Sequence, residues 1–273
     1  MKNSSKEVTY LQERNGIKYE VNQEKPFTGK YVRYWTKWFK DVEKREEVNF
    51  VVGKEEGLWI EWHKNGQKKL EKHYKDGEKE GVWTEWYENG QKKLEKYYKD
   101  GKLDGLQNVW WDNGQKKLEK YYKDGEKEGV WTEWYENGQK KYEENYKDGR
   151  KEGLWTEWNK YGQKECETNY KNGGIEGLRN TRYKNGQKEW ETNRKNGQRE
   201  GVWTEWYENG QKKYEENYKK GKKKGLRTEW YETGQKSSEV NYKGGRKEGV
   251  WTQWYENGQK KYEENYKNGN LVK

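Results

Sequence analysis

GVWTEWYENGQKKLEKYYKDGKLDG, residues 81–105, decides how this chain folds. Two aromatic, β-prone runs, 82–88 and 91–99, flank Asn89-Gly90, and Asp100-Gly101 leads into the next run. Asn-Gly and Asp-Gly between such runs are strong hairpin signals, because both turn residues must tolerate positive φ. Runs this short suit strands, and a helix would keep glycine out of its interior. One β-hairpin is therefore expected here.

The stretch recurs. Glycine returns every 24 residues from Gly57 to Gly249, from Gly66 to Gly258 and from Gly77 to Gly269. A period between 20 and 50 residues means stacked supersecondary units. The expected fold is all-β, an elongated single-layer antiparallel meander of tandem β-hairpin repeats. Residues 1–7 read as a disordered N-terminal segment, 8–56 as divergent capping repeats and 57–273 as nine 24-residue hairpins. The unit that ends at Gly57 carries about four extra residues near Phe39–Glu43, as an atypical terminal repeat can.

Register follows from the loop. A three-residue loop, Glu88-Asn89-Gly90, sets Tyr87 opposite Gln91 and Glu85 opposite Lys93. One face would then carry Val82, Thr84, Trp86, Leu94 and Tyr98, and the other Trp83, Glu85, Tyr87, Lys93 and Glu95. That arrangement pairs opposite charges across strands, as do Glu61–Lys69, Glu133–Lys141 and Glu205–Lys213; Glu157 opposite Glu165 breaks it.

Composition explains what fills such a sheet. Hydrophobic residues make up 27% of the 273 and charged residues 40%, with a net charge of +10. An ordinary domain is about 45–50% apolar once glycine is counted, so no conventional core can form. Yet there are 18 Trp and 24 Tyr. Stacked rings with lysine stems across them take the place of aliphatic packing.

Several classes drop out. No run reaches the roughly 18–20 apolar residues of a spanning helix. Lys and Glu crowd both faces, which removes the lipid-facing band of a membrane barrel. Asn-Gly hairpins argue against a parallel solenoid. Only Met1–Glu7 precede Val8, so either the protein is cytoplasmic or a mature chain has gained a methionine. Cys166 alone excludes an internal disulfide framework and, with only His63 and His73, argues against zinc; no metal or other cofactor is expected.

The unit G-x-W-x-E-W-Y-E-N-G-Q-K-K-x-E-x-x-Y-K-D-G resembles the bacterial variant MORN repeat. The opening RNGIKYEVNQEKPFTGKY, residues 14–31, is similar to the start of the YwqK family. The resemblance covers residues 8–269 and implies serial hairpins. For function it implies either antitoxins of toxin–antitoxin pairs or surface and secreted factors that contact a host; no catalytic residue comes with it.

The residues themselves offer no reaction centre. His63 and His73 read as aromatic substitutions, Cys166 occupies the slot of Leu94 and Leu118, and no glycine-rich phosphate loop occurs. The chain is expected not to be an enzyme. Surface remains. Trp59, Trp83, Trp131, Trp155, Trp203 and Trp251 should line one face, and Trp62, Trp86, Trp134, Trp158, Trp206 and Trp254 the other.

Divergent repeats locate the candidate binding residues: Arg179, Arg182, Trp190, Arg194, Arg199, Lys222, Lys223, Lys224 and Arg227. Arg179 and Arg182 replace both ladder tryptophans, and Arg194 a ladder tyrosine. Residues 177–200 hold seven basic and three acidic groups, and residues 201–224 seven and four, so seven of the ten net charges sit there. The expectation is a non-enzymatic binding or adhesion protein, secreted or at the cell surface, with an acidic protein or glycan partner. The alternative is a cytoplasmic antitoxin-like inhibitor. Interleaved acids argue against nucleic acid; peripheral membrane association and edge-to-edge homodimerisation are compatible with the pattern.

Overall fold

The computed structural model describes residues 7–35 and 43–272, which form two compact units, 1–138 and 139–273. Among the described residues there is no helix. The extra residues expected near Phe39–Glu43 lie mostly outside the described residues, as do 1–6. Glu7, expected in the disordered segment, begins a short strand, Glu7–Val8, parallel to Gly29–Tyr34.

In the first unit, Gly29–Tyr34, Lys44–Val51, Lys54–Trp62 and Lys68–Lys75 pair antiparallel in sequence order. The chain continues through Gly81–Trp86, Lys92–Lys99, Lys102–Trp110, Lys116–Lys123 and Glu126–Trp134, each against its predecessor. The second unit repeats the pattern from Lys140–Lys147 to Asn270–Val272. From Gly29 onward consecutive strands pair within each unit, so each is a meander of hairpins, which in the first unit follows the N-terminal cap.

The two turn types differ. At Asp100-Gly101 both residues have positive φ, 48° and 76°, and Lys99 faces Lys102 across a two-residue loop. At Asn89-Gly90 only the glycine does, at 82°. There the loop is the expected three-residue one: Tyr87 N donates to Gln91 O at 2.9 Å and Gly90 N to Tyr87 O at 3.0 Å. Asn89 serves by hydrogen bonding instead, accepting from Gln91 N and donating from Nδ2 to Asp112 O, 23 residues on.

The expected faces are corrected beyond that loop. Trp86 faces Lys92, but a bulge at Lys93 then sets Glu85 opposite Leu94, Thr84 opposite Glu95 and Trp83 opposite Lys96. One extra residue reverses every later side chain. Leu94 and Tyr98 therefore join Trp83, with the Trp83 and Tyr98 rings 4.8 Å apart, while Glu95 moves to the face of Trp86. Lys93 still reaches Glu85, at 3.7 Å, because the bulge residue leans to that side. The two tryptophan series stand on opposite faces, as expected.

The cluster of buried apolar side chains lies in the N-terminal cap, with Leu70 and Val240 buried singly elsewhere. Phe27, Val48 and Phe50 are buried there, with Val8, Leu11, Tyr31 and Trp59 packed against them. The hairpin Gln12–Arg14 with Ile17–Tyr19 closes over them: Lys18 N donates to Gly53 O, Gly53 N to Phe27 O and Phe27 N to Lys18 O. A Cβ on Gly53, at φ +75°, would lie 2.4 Å from Ile17 Cγ2, so only glycine fits.

Elsewhere each hairpin is fastened to the next by side chains. The hydroxyls of Tyr87, Tyr183, Tyr207 and Tyr231 donate to the carbonyls of Trp110, Trp206, Trp230 and Trp254 at 2.8–2.9 Å. His63 occupies the same register, with Nε2 3.1 Å from Trp86 O. A neutral hydrogen bond contributes about 1 kcal/mol. Tyr207→Phe should therefore lower stability to chemical denaturation by about that amount. Tyr255→Phe should not, because Tyr255 is exposed and makes no such bond among the described residues.

Candidate functional site

The sheet faces are where the large side chains meet. On the Trp83 face of the first unit the rings run Trp59–Tyr74–Trp83–Tyr98, with centroids 5.8, 5.4 and 4.8 Å apart. Lys72 lies 4.8 Å over Trp59 and 4.9 Å over Trp83, and Lys79 covers both Trp83 and Tyr98. Trp131 stands under Lys127 in the same series. In the second unit Trp155 pairs with Tyr170, Trp203 with Tyr214 and Tyr218, and Trp251 with Tyr262 and Tyr266.

The opposite face has its own device. Lys68, Lys140, Lys188 and Lys212 each pair with the glutamate three residues on, at 2.5–2.6 Å, and lie 5.5–5.8 Å over Trp86, Trp158, Trp206 and Trp230 of the following repeat. Lys44 does the same over Trp62 and Lys116 over Trp134. Each lysine joins two hairpins. Trp254 closes this series, its carbonyl taken by Tyr231.

The nine candidate binding residues all fall in the second unit, but not on one surface. Arg179, Trp190, Arg194, Arg199, Lys223 and Arg227 share the face of Trp203. Arg182 is on the other face, where its guanidinium donates to Gly186 O at 3.1 Å. Lys222 and Lys224 are exposed at the turn edge.

On the shared face the cations are engaged. Arg179 lies 5.2 Å over Trp190, and Arg194 donates to Gly197 O. Arg199 is 3.4 Å over Trp203 and donates to the Tyr218 hydroxyl, which donates to Glu216 Oε1 at 2.5 Å. Glu216 is buried, only 4% exposed, and also takes Lys223 at 2.7 Å and Arg227 at 3.6 Å. Arg227 further reaches Glu229 at 2.6 Å. Burial, and then its bond to Glu216, raises the Tyr218 pKa. On the other face, Lys164 beside Glu167 holds that carboxyl below its usual range, with Arg182 adding to the effect.

Glu216 was not singled out from the sequence. Its signal is there: it stands at the register of Lys72, Lys96 and Lys120. Cys166 is half-buried, its Sγ 3.6 Å from Thr168 Oγ1. Among the described residues no cluster of three or more His, Cys, Asp or Glu could hold a metal, and no helix is long and apolar enough to cross a membrane. The arrangement offers charged and aromatic area.

The family profile described as MORN repeat variant matches residues 55–76, 79–100, 103–124, 127–148, 199–220, 223–243 and 247–268, together more than half of the chain. No curated protein matches. The profile skips residues 149–198, where Arg179, Arg182 and Arg194 lie, although the backbone there keeps the hairpin register of its neighbours.

Burial pushes the Tyr74 pKa up to about 12 and also raises Tyr98 and Tyr122. An unfolded tyrosine ionises near 10. A folded pKa above the unfolded one gives stability that is complete below about pH 10 and is lost as the pH climbs toward 12. Denaturation midpoints should therefore start to fall above about pH 10, and Tyr74→Phe should fall less steeply there.

Proposed function

This chain belongs to the MORN repeat variant family, and from that premise we propose that it is a non-enzymatic adhesion or binding protein. It would present the basic part of its second unit to an acidic protein or glycan, at or beyond the cell surface. Repeats of this family are binding modules, typically without catalysis.

One observation carries the reading. Arginine stands at 179, 182, 194 and 227, registers that tryptophan or tyrosine fills in other repeats. Tryptophan fills the registers of 179, 182 and 227 in other repeats without placing a guanidinium there, and the backbone pairing is the same. The fold does not need these arginines. Retaining four of them within 49 residues favours a role in attracting anions.

Titration of the intact protein with polyglutamate, dextran sulfate and neutral dextran tests this. Both anions should bind and the neutral polymer should not. Arg179→Trp/Arg182→Trp should weaken anion binding about fivefold, the equivalent of roughly 1 kcal/mol. Unchanged affinity removes the face arginines from the account. Rescue of growth on coexpression with the product of the neighbouring gene would replace adhesion by toxin neutralisation.

A further inference from the structure

The hairpin turns at one edge of each unit follow a single pattern, Lys-x-Gly-x-x-x, and their charges shift along the chain, the second unit opening on Asp148, Arg150 and Glu152, then Asn172, Gly174 and Glu176. In 75–80, 99–104 and 123–128 the three variable registers hold Asp76, Glu78 and Glu80, then Asp100, Lys102 and Asp104, then Asp124, Glu126 and Glu128. Eight of the nine are acidic, and Lys102 is the single exception. In 195–200, 219–224 and 243–248 the same registers hold Asn196, Gln198 and Glu200, then Lys220, Lys222 and Lys224, then Gly244, Arg246 and Glu248. Only two acids remain there.

Both of those acids are engaged within the fold. Glu200 Oε2 accepts from Lys220 N, and Glu248 Oε2 accepts from Asn268 N, each at 2.7 Å. The cations are not. Lys219, Lys220, Lys222, Lys224, Lys243 and Arg246 are exposed and form no ion pair among the described residues. This separates them from Lys223 and Arg227, which are tied to Glu216.

The turns are contiguous. Gly221 N donates to Arg199 O and Gly245 N to Lys223 O, and a Cβ on Gly245 would lie 4.0 Å from Lys222 Cβ. Successive turns are two strands apart, so the charge repeats about every 10 Å along a line. Local stability would favour a different sequence. Lys219 pairs directly with Lys222, and Lys243 with Arg246, where like charges repel. Lys220 sits at φ +49°, where the other turns place Asp, Asn or Gly.

We infer that this edge, centred on 219–224, docks a linear acidic polysaccharide. The inference rests on the binding function proposed above and names its partner and place. The turns present ammonium groups in a row with no exposed aromatic among them, so they lack the stacking platform that single-stranded nucleic acid uses. They also lack the apolar anchor at the centre of a protein–protein interface. A chain that bears a carboxylate or sulfate on each residue needs neither.

The test uses the full chain and a variant with the turn of the first unit, Lys220→Asp/Lys222→Glu/Lys224→Glu. Its sequence there becomes that of 75–80, so it should fold with an unchanged or higher melting temperature, which circular dichroism checks. Binding is measured to a polyuronate, dextran sulfate, neutral dextran, phosphatidylserine vesicles and an oligothymidylate. The polyuronate and dextran sulfate should bind the intact chain, with affinity falling steeply in salt, and the folded turn variant should lose about thirtyfold or more. Equal binding by variant and parent overturns the site. If the tryptophan-for-arginine variant then loses affinity, the proposed function stands without it. Binding to the vesicles or the oligonucleotide tighter than to either polysaccharide overturns the partner. Failure of the intact chain to bind any anion overturns both readings.

Discussion

A single-layer sheet can bury only what its own side chains cover, and here a ring lying under an ammonium group does the covering. Each aromatic pair contributes about 0.5–1.5 kcal/mol beyond its buried area, and each half-exposed cation–π contact about 0.5–1 kcal/mol. No single contact decides stability. Their repetition does, because a lysine such as Lys72 touches Trp59 in one hairpin and Trp83 in the next. The aromatic composition, the high lysine content and the 24-residue period are three aspects of one constraint.

That constraint also sets what substitution can do. Where arginine replaces tryptophan, the ladder is interrupted but remains bridged. Arg179 finds Trp190, at a register held by leucine in Leu70, Leu94 and Leu118, and Arg227 finds Tyr214. Around Arg227 a buried carboxylate, Glu216, meets two cations, Lys223 and Arg227, and a hydroxyl donor, Tyr218, and Glu144 holds Tyr146 and Lys151 in the same way. Breaking such a group by removing one partner leaves a charge uncompensated.

The hairpins were legible because turn chemistry is local: Asp100-Gly101 and Asn89-Gly90 specify their loops within four residues. The assignment of faces was not, because it depends on a bulge at Lys93 that no glycine marks. A trace of it exists. Lys92 and Glu95 are three apart and would fall on opposite faces of a regular strand, yet the same Lys-x-x-Glu pair recurs from Lys68–Glu71 to Lys260–Glu263. Only a bulge between them lets the two meet. The candidate arginines were legible as departures from the period, and Arg179 and Arg182, three apart on one strand, as facing opposite ways, but which side Arg194 and Trp190 join depends on that same bulge. The bond from Tyr87 to the Trp110 carbonyl was equally hidden, because the sequence shows the tyrosine and not the depth of the next hairpin.

The arginines on the faces and the lysines at the edge have different physical standing. A cation on the face is desolvated by its ring and held in one orientation, so it adds to packing as well as to the field. A lysine at the edge is solvated, mobile and screened within about 8–10 Å at ordinary ionic strength. Several of them in line overcome that screening together, since an anion one pitch long meets two turns at once. The sheet supplies the line because hairpins stack at a fixed interval, and the divergent repeats supply the sign because they have lost the carboxylates at 220, 222 and 224 that neutralise the turns elsewhere. Repetition sets the spacing of these turns and divergence sets their charge.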